Sequence, residues 1–323
     1  MKTLKKYSLL LILLVITGIC TCCVTAEPVH AKTYKIRTAS DWKNIGKKNG
    51  GTFKLMKDIK LTSEKQYLTI SKNKKYTIDL NGHKVATTYS GVNLRTVCPL
   101  TVKKGTVILK SSKKNKGVLY STEAAAVTVT GSAKFYLKSG AIVDDAVEFR
   151  SDVTSAVALA DKAKCYISGA SMVQSIGNGV AMLGKSKLYL TGHPYIRAGA
   201  NNYTGQFTHY GNGIAVMESG CTLSLKGGSI GTKASPDIEV YSLGVKYTYP
   251  QSANYPVLDL SGKVLKTAAG YKYVDAKGAA VPISGNMLES IYPGITSSIG
   301  GDTKLKTSVA DAEGYYTIYV VKG

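Results

Sequence analysis

Three Lys-x-Tyr triplets carry the clearest chemistry in the sequence: Lys134 and Tyr136, Lys164 and Tyr166, Lys187 and Tyr189. In each, an apolar residue separates the two (Phe135, Cys165, Leu188) and another follows the tyrosine (Leu137, Ile167, Leu190). Such alternation turns Lys and Tyr to one face of a strand and the apolar residues to the other. Ammonium groups stacked at neighbouring positions repel unless the side chains splay or an anion sits between them. Tyrosines beside them offer flat ring faces to a sugar and hydroxyls for hydrogen bonds. Together these types describe a basic, aromatic strip suited to an acidic glycan. The bland reading uses the same residues, since tyrosine favours strands and lysine protects exposed sheets from aggregation.

A second candidate is the polar-aromatic stretch Arg197–Gly211 (RAGANNYTGQFTHYG), in which Arg197, Tyr203, His209 and Tyr210 join the ligand-binding set. Loops held by a rigid scaffold often carry function, although a structural cover over an apolar strand face would look the same. Asp144, Asp145, Glu148, Arg150 and Asp152 form the one acidic cluster with an arginine. Calcium favours such oxygen ligands, but no loop spacing enforces a site, and a solvated loop is the expectation. The four histidines are scattered, no Cys/His metal spacing occurs, and no paired carboxylates of the kind hydrolases need recur. No catalytic residue, metal ligand or cofactor site is therefore assigned.

The triplets sit inside a repeat running from Ala125 to Gly231. Its copies are AVTVTGSAKFYLKSG (Ala126–Gly140), AVALADKAKCYISG (Ala156–Gly169), GVAMLGKSKLYLTG (Gly179–Gly192) and GIAVMESGCTLSLKGG (Gly213–Gly228). Val127/Val129 align with Val157/Leu159, Val180/Met182 and Ile214/Val216. A second pair follows at Phe135/Leu137, Cys165/Ile167, Leu188/Leu190 and Leu223/Leu225. The pairs begin eight residues apart in three copies and nine in the last. A shorter apolar contact (Ile142, Met172, Ile196, Ile230) closes each unit. Two strands, a glycine bend, a third strand and a return loop make one coil of a parallel β-helix. A lone coil cannot bury its inner face, so the coils must stack. Leu68–Val85, with Leu68/Ile70 and Ile78/Leu80 inward, and Leu100–Leu109 add two earlier coils, for about six at roughly 4.8 Å each.

Upstream, Thr38–Ile45 reads as a short helix with Ser40 at its N-cap, plugging the open end of the stack with Trp42. Phe53–Leu55 and Ile59–Leu61 read as strands. Beyond Pro236 the repeat fades. Ten of the 22 tyrosines lie there, which favours strands. Asp275–Gly278 and Asp311–Gly314 look like hairpin turns beside strands Gly270–Val274 and Tyr315–Val321. The expected organisation is a signal peptide (1–31), a β-helix with its N-terminal cap (32–235), and a β-rich cap or small domain (236–323).

Lys2, Lys5 and Lys6 precede the apolar run Leu9–Ile16, with small-x-small cleavage sites ending at Ala26 or Ala31. That run is too short for a comfortable membrane span and fits a secretory signal. Lipidation at Cys20, Cys22 or Cys23 lacks a small residue directly before the cysteine at the end of the run. Cleavage would leave Cys98, Cys165 and Cys221, too few for a disulfide framework. Cys165 fills an inward slot, and its pairing with Cys221 has nothing to support it. The formal net charge is +22. Losing residues 1–31 removes three lysines and Glu27, leaving 39 basic and 19 acidic residues, a net +20. Such a chain is drawn to polyanions. The absence of a compact basic block or a nucleic-acid motif argues against nucleic acid.

The runs GGTFKL (Gly50–Leu55), DIKLT (Asp58–Thr62) and TIDLNGHKV (Thr77–Val85), with the copies that follow, resemble secreted right-handed parallel β-helix proteins of the pectin-lyase-like class. That class includes adhesin-like bacterial surface proteins. The resemblance spans about Lys35 to Thr232 and implies an all-β, right-handed solenoid. It leaves function open, because the class holds lyases, hydrolases and binding proteins. Pectate-cleaving members carry a row of calcium-binding carboxylates on one strand ladder with an Arg or Lys base nearby. Here the outward middle of the first strand is Thr128, Ala158, Ala181 and Ala215, with no carboxylate row. The leading expectation is a secreted, non-catalytic protein that binds an acidic polysaccharide or cell-surface polymer. Its alternatives are a polysaccharide lyase and an adhesin whose protein partner covers Ala158, Ala181 and Ala215.

Overall fold

The computed structural model describes residues 32–88, 98–113, 116–122, 125–145, 155–198, 213–216, 220–233, 243–245, 270–281, 283–284, 304–305 and 315–323. The expected signal segment, Tyr203, His209, Tyr210, Glu148, Arg150, Asp152 and the turn at Asp311–Gly314 lie outside them.

Three walls of parallel strands wind about one core, as a parallel β-helix. Wall I stacks Leu68–Ile70, Leu100–Val102, Ala125–Val129, Ser155–Leu159, Asn178–Met182, Ile214–Val216 and Leu243–Val245. Wall II stacks Gly51–Leu55, Lys75–Asp79, Thr106–Lys110, Lys134–Leu137, Lys164–Gly169 and the first halves of two long strands, Lys187–Ala198 and Thr222–Lys233. Thr33–Ile36 pairs in parallel with Gly51–Leu55 as its outermost member. Wall III stacks Ile59–Leu61, Lys84–Thr87, Val118–Ser121, Ala141–Asp144 and Met172–Ser175, ending in the second halves of the same long strands. Among the described residues each wall thus has seven rungs rather than six, with Thr33–Ile36 as an added edge strand on wall II, because the coil beginning at Gly51 and the coil reaching Leu243 both complete the stack.

The register follows the repeat. Val127, Val157, Val180 and Ile214 lie over one another in wall I, and Phe135, Cys165, Leu188 and Leu223 do so in wall II. All of these are buried. One expected inward residue shifts by one step. Val173, not Met172, sits opposite Ile142 and Ile196, and Met172 is half-buried. In the first coil Tyr76 and Ile78 match Val107 and Leu109. Leu80 is buried just beyond the strand, at the turn. Alternation decides the Met172 case: one residue of slip reverses every side chain, so the register that buries the larger set wins. Tyr76, Ile78 and Leu80 all share the inward parity.

The N-terminal helix is Ala39–Asn44, capped by Thr38 rather than Ser40. Thr38 accepts from the Asp41 amide while the Asp41 carboxylate accepts from the Thr38 amide, a reciprocal capping box. Ser40 lies inside the first turn and accepts a bond from Asn44. Trp42 is fully buried, its ring N–H donating to the Pro99 carbonyl at 3.1 Å. At the other end, Tyr315–Lys322 runs antiparallel onto the last long strand, and Tyr271–Val274 runs antiparallel onto Tyr315–Lys322. The expected turn at Asp275–Gly278 is present, with the Asp275 carboxylate accepting from the amides of Lys277 and Ala279.

Candidate functional site

Wall II brings the three triplets into vertical register. Lys134, Lys164 and Lys187 are successive partners, as are Tyr136, Tyr166 and Tyr189. The lysines and tyrosines stand on the outer side, exposed or half-exposed. The tyrosine rings are separated by 4.4 Å and 4.7 Å between centroids, with planes within 5° and 8° of parallel.

That geometry alters the expected chemistry. Tyr166 has its two faces against Tyr136 and Tyr189, so those faces are not open to a sugar. What the stack presents outward is ring edges, which carry the positive part of the aromatic quadrupole, and a column of hydroxyls. Both favour an anion. Burial, followed by its two tyrosine neighbours, pushes the Tyr166 phenol above its ordinary value, which keeps it a hydrogen-bond donor. Beyond Tyr189 the next rung offers Ser224, too small to cover a ring, and among the described residues no other ring packs on that far face.

The lysines extend past the triplets. Lys110 and Lys138 flank the tyrosine column on its other side, and Lys226 continues that line through Ser168 and Thr191. Turns from wall I to wall II add the exposed Lys72, Lys74, Lys103, Lys104, Lys162 and Lys185. Among the described residues of this wall and those turns, Asp161 is the one exposed carboxylate. It is held by Thr130 Oγ1 and the Gly131 amide, bonds that keep its carboxyl below the usual range. Asp79 is buried, its Oδ1 accepting from the amides of Asn81 and Ser112 at 2.8 Å each. The outer column of wall I is uncharged: Thr69, Thr101, Thr128, Ala158, Ala181, Ala215 and Gly244.

The remaining candidates fare differently. Arg197 is on wall III, its guanidinium 4.0 Å from the Tyr195 ring centroid, away from the tyrosine stack. Asp144 and Asp145, consecutive on a strand, point opposite ways. Asp144 is buried and accepts from Ser175 Oγ at 2.9 Å, whereas Asp145 accepts from the Tyr120 hydroxyl at 2.9 Å. They cannot converge on one cation, and no cluster of metal-ligating side chains occurs among the described residues. Ala181 and Ala215 are 2% exposed, and Ala158 is half-buried. Cys98, Cys165 and Cys221 are buried. Cys221 packs beside Ser186, 3.6 Å from its Oγ, two residues before Leu223 of the column that holds Cys165.

Three features escaped the sequence reading. Lys226 occupies the slot of the repeat that also holds Lys138, Ser168 and Thr191, and the same overlay could have found it. Lys84 Nζ lies 3.7 Å from the Tyr120 ring centroid, a pairing made across rungs of wall III that no local pattern signals. A cleft of about 530 Å³ opens where Gly192–Pro194 and Lys226–Ser229 meet Tyr271 and Tyr319–Lys322. Its tail strands lie outside the repeat, so periodicity offers no clue to it.

No family model matches the chain, and neither the curated proteins nor the solved structures include a significant match to it.

Proposed function

We propose that this is a secreted, non-catalytic protein that binds an acidic polysaccharide or similar cell-surface polyanion along wall II. One observation carries the reading: lysine columns flank a tyrosine stack on a single wall where, among the described residues of the wall and its turns from wall I, Asp161 is the one exposed carboxylate. Lys134, Lys164 and Lys187 stand on successive rungs, about 4.8 Å apart along the backbone, where repulsion between their ammonium groups is relieved by splaying or by an anion lying across them. Tyrosine hydroxyls donate to its oxygens. Three rungs span about 10 Å, the length of two sugar units. Further support comes from the resemblance to pectin-lyase-like surface proteins and from the secretory signal read at residues 1–31. No carboxylate row projects from wall I to favour a lyase. The polymer stays intact when bound.

The test is retention of the chain from residue 32 on immobilised polygalacturonate at low and moderate salt. Binding is expected at low salt and should fall as salt screens it. Lys134→Gln/Lys164→Gln/Lys187→Gln should weaken it by about 1–2 kcal/mol. Failure to bind any polyanion at low salt would sink the proposal.

A further inference from the structure

The cleft at the C-terminal end of the stack arises from a change in coil length. Gly192 and Tyr195 pair with Gly227 and Ser229, so two residues on one rung face a single residue, Gly228, on the next. His193 and Pro194 therefore have no matching pair beneath them. Gly227, at φ +119°, makes the shorter corner possible: a Cβ there would sit 2.3 Å from the Gly192 carbonyl oxygen. The antiparallel tail supplies the opposite side with Tyr319, Lys322 and Tyr271. The ionisable groups besides tyrosine that line the cleft are His193, Lys226 and Lys322, and none is acidic. All three are exposed.

Position links this cleft to wall II. Lys226 belongs both to the lysine line beside the tyrosine column and to the cleft lining. Tyr189, the last ring of the stack, faces Ser224, two residues before Lys226. Such diagonal neighbours lie about 7–8 Å apart. A polymer running up the wall thus leaves the last ring face and meets the cleft within two sugar lengths. A volume of about 530 Å³ falls in the range of small-ligand sites.

We infer that the cleft binds the terminal sugar unit of the acidic glycan, its carboxylate or sulfate between Lys226 and Lys322 and its ring against Tyr271 and Tyr319. The inference rests on the polyanion reading of wall II and adds an end-recognising seat to it. A chain end would dock there, while the interior of the polymer lies along the lysine columns.

The test uses the chain from residue 32 with D-glucuronate as probe, glucose as its neutral counterpart and sodium sulfate as a bare anion, followed by ligand-observed NMR. Glucuronate should saturate with a Kd of about 1 mM, a usual strength for so small a ligand. Glucose and sulfate should each bind at least tenfold more weakly. Lys226→Gln/Lys322→Gln should weaken glucuronate at least tenfold, and His193→Gln by a smaller factor, with unchanged circular dichroism in each. The wall II triple lysine variant should bind glucuronate within twofold of the parent. Polygalacturonate retention without glucuronate binding overturns the cleft and leaves the wall reading standing. Glucuronate bound equally by parent and Lys226→Gln/Lys322→Gln also overturns the cleft. Loss of polymer retention with glucuronate binding intact overturns the wall reading instead. Sulfate matching glucuronate reduces the site to a charge trap and overturns sugar recognition.

Discussion

Tyr120 shows how a single side chain records its surroundings. Burial, then its hydrogen bond to Asp145, pushes the Tyr120 phenol up to about 12. A phenol raised above its unfolded value of about 10 stabilises the fold fully below pH 10. That contribution is lost as pH rises from 10 to about 12. Denaturant midpoints should therefore fall across this window, and Tyr120→Phe should flatten part of the decline. At neutral pH the same variant should cost about 1–2 kcal/mol for the lost charge-assisted bond. The thiols give a second reading at this scale. Burial pushes the Cys98 and Cys165 thiols up, and only thiolates react. In the chain from residue 32, an aromatic disulfide reagent should label no cysteine in buffer and all three in denaturant. Fast labelling of the native chain would contradict the packing around Cys165.

At the scale of elements, the ends and bends of strands decide most of what alternation leaves open. The capping box is one such place. Thr38→Ala should cost about 1 kcal/mol, read as a lowered thermal midpoint. The Arg37 amide beside Asp41, together with Thr38, holds that carboxyl below the usual range. Its contribution is present above the unfolded value of about 3.9 and disappears as pH drops through the lowered one. Thr38→Ala should accordingly lose part of the wild type's acid sensitivity. Gly105 is a harsher case. It adopts φ +77°, and a Cβ would lie 2.4 Å from the Lys74 carbonyl oxygen. Gly105→Ala should be more damaging than the capping change, by about 1 kcal/mol or more. The sequence carried the inward pairs of the four copies without error, because period two leaves only one burying register. It misplaced Met172, where the strand meets a bend and neighbouring apolar residues compete for the same slot. The N-cap slipped to Ser40 because serine and threonine serve equally as caps, and only the Asp41 carboxylate reaching back to Thr38 separates them.

For the whole molecule, stacking makes length a variable. Removing residues 157–179 joins Ala156 to Val180, which occupies the place of Val157 in the wall I register. The shortened chain should fold as a stack one rung lower, keep a β-sheet circular dichroism spectrum, and retain Tyr136 beside Tyr189. Its retention on polygalacturonate should weaken, since one Lys-Tyr rung is gone. Aggregation of the deletion variant would mean that coils are not interchangeable units. The lysine and tyrosine columns were legible before any coordinates, because equal spacing along the chain becomes vertical alignment in a solenoid. The ring-on-ring contact was not legible, since it depends on side-chain torsions that leave no trace in residue order. The cleft was equally hidden, being made by a coil one residue short and a tail of reversed polarity.

The burial of Trp42 against Pro99 gives the protein a private optical channel. It is the sole indole, and it sits in the N-terminal plug. The tyrosine stack lies several rungs further along wall II. Indole emission should stay blue-shifted and indifferent to saturating polygalacturonate, then move red when the first coils melt. Phenolic absorbance near 280 nm should respond to the ligand instead. Two colours of ultraviolet light would thus separate fraying of the plug from occupancy of the wall in one cuvette, with no label attached.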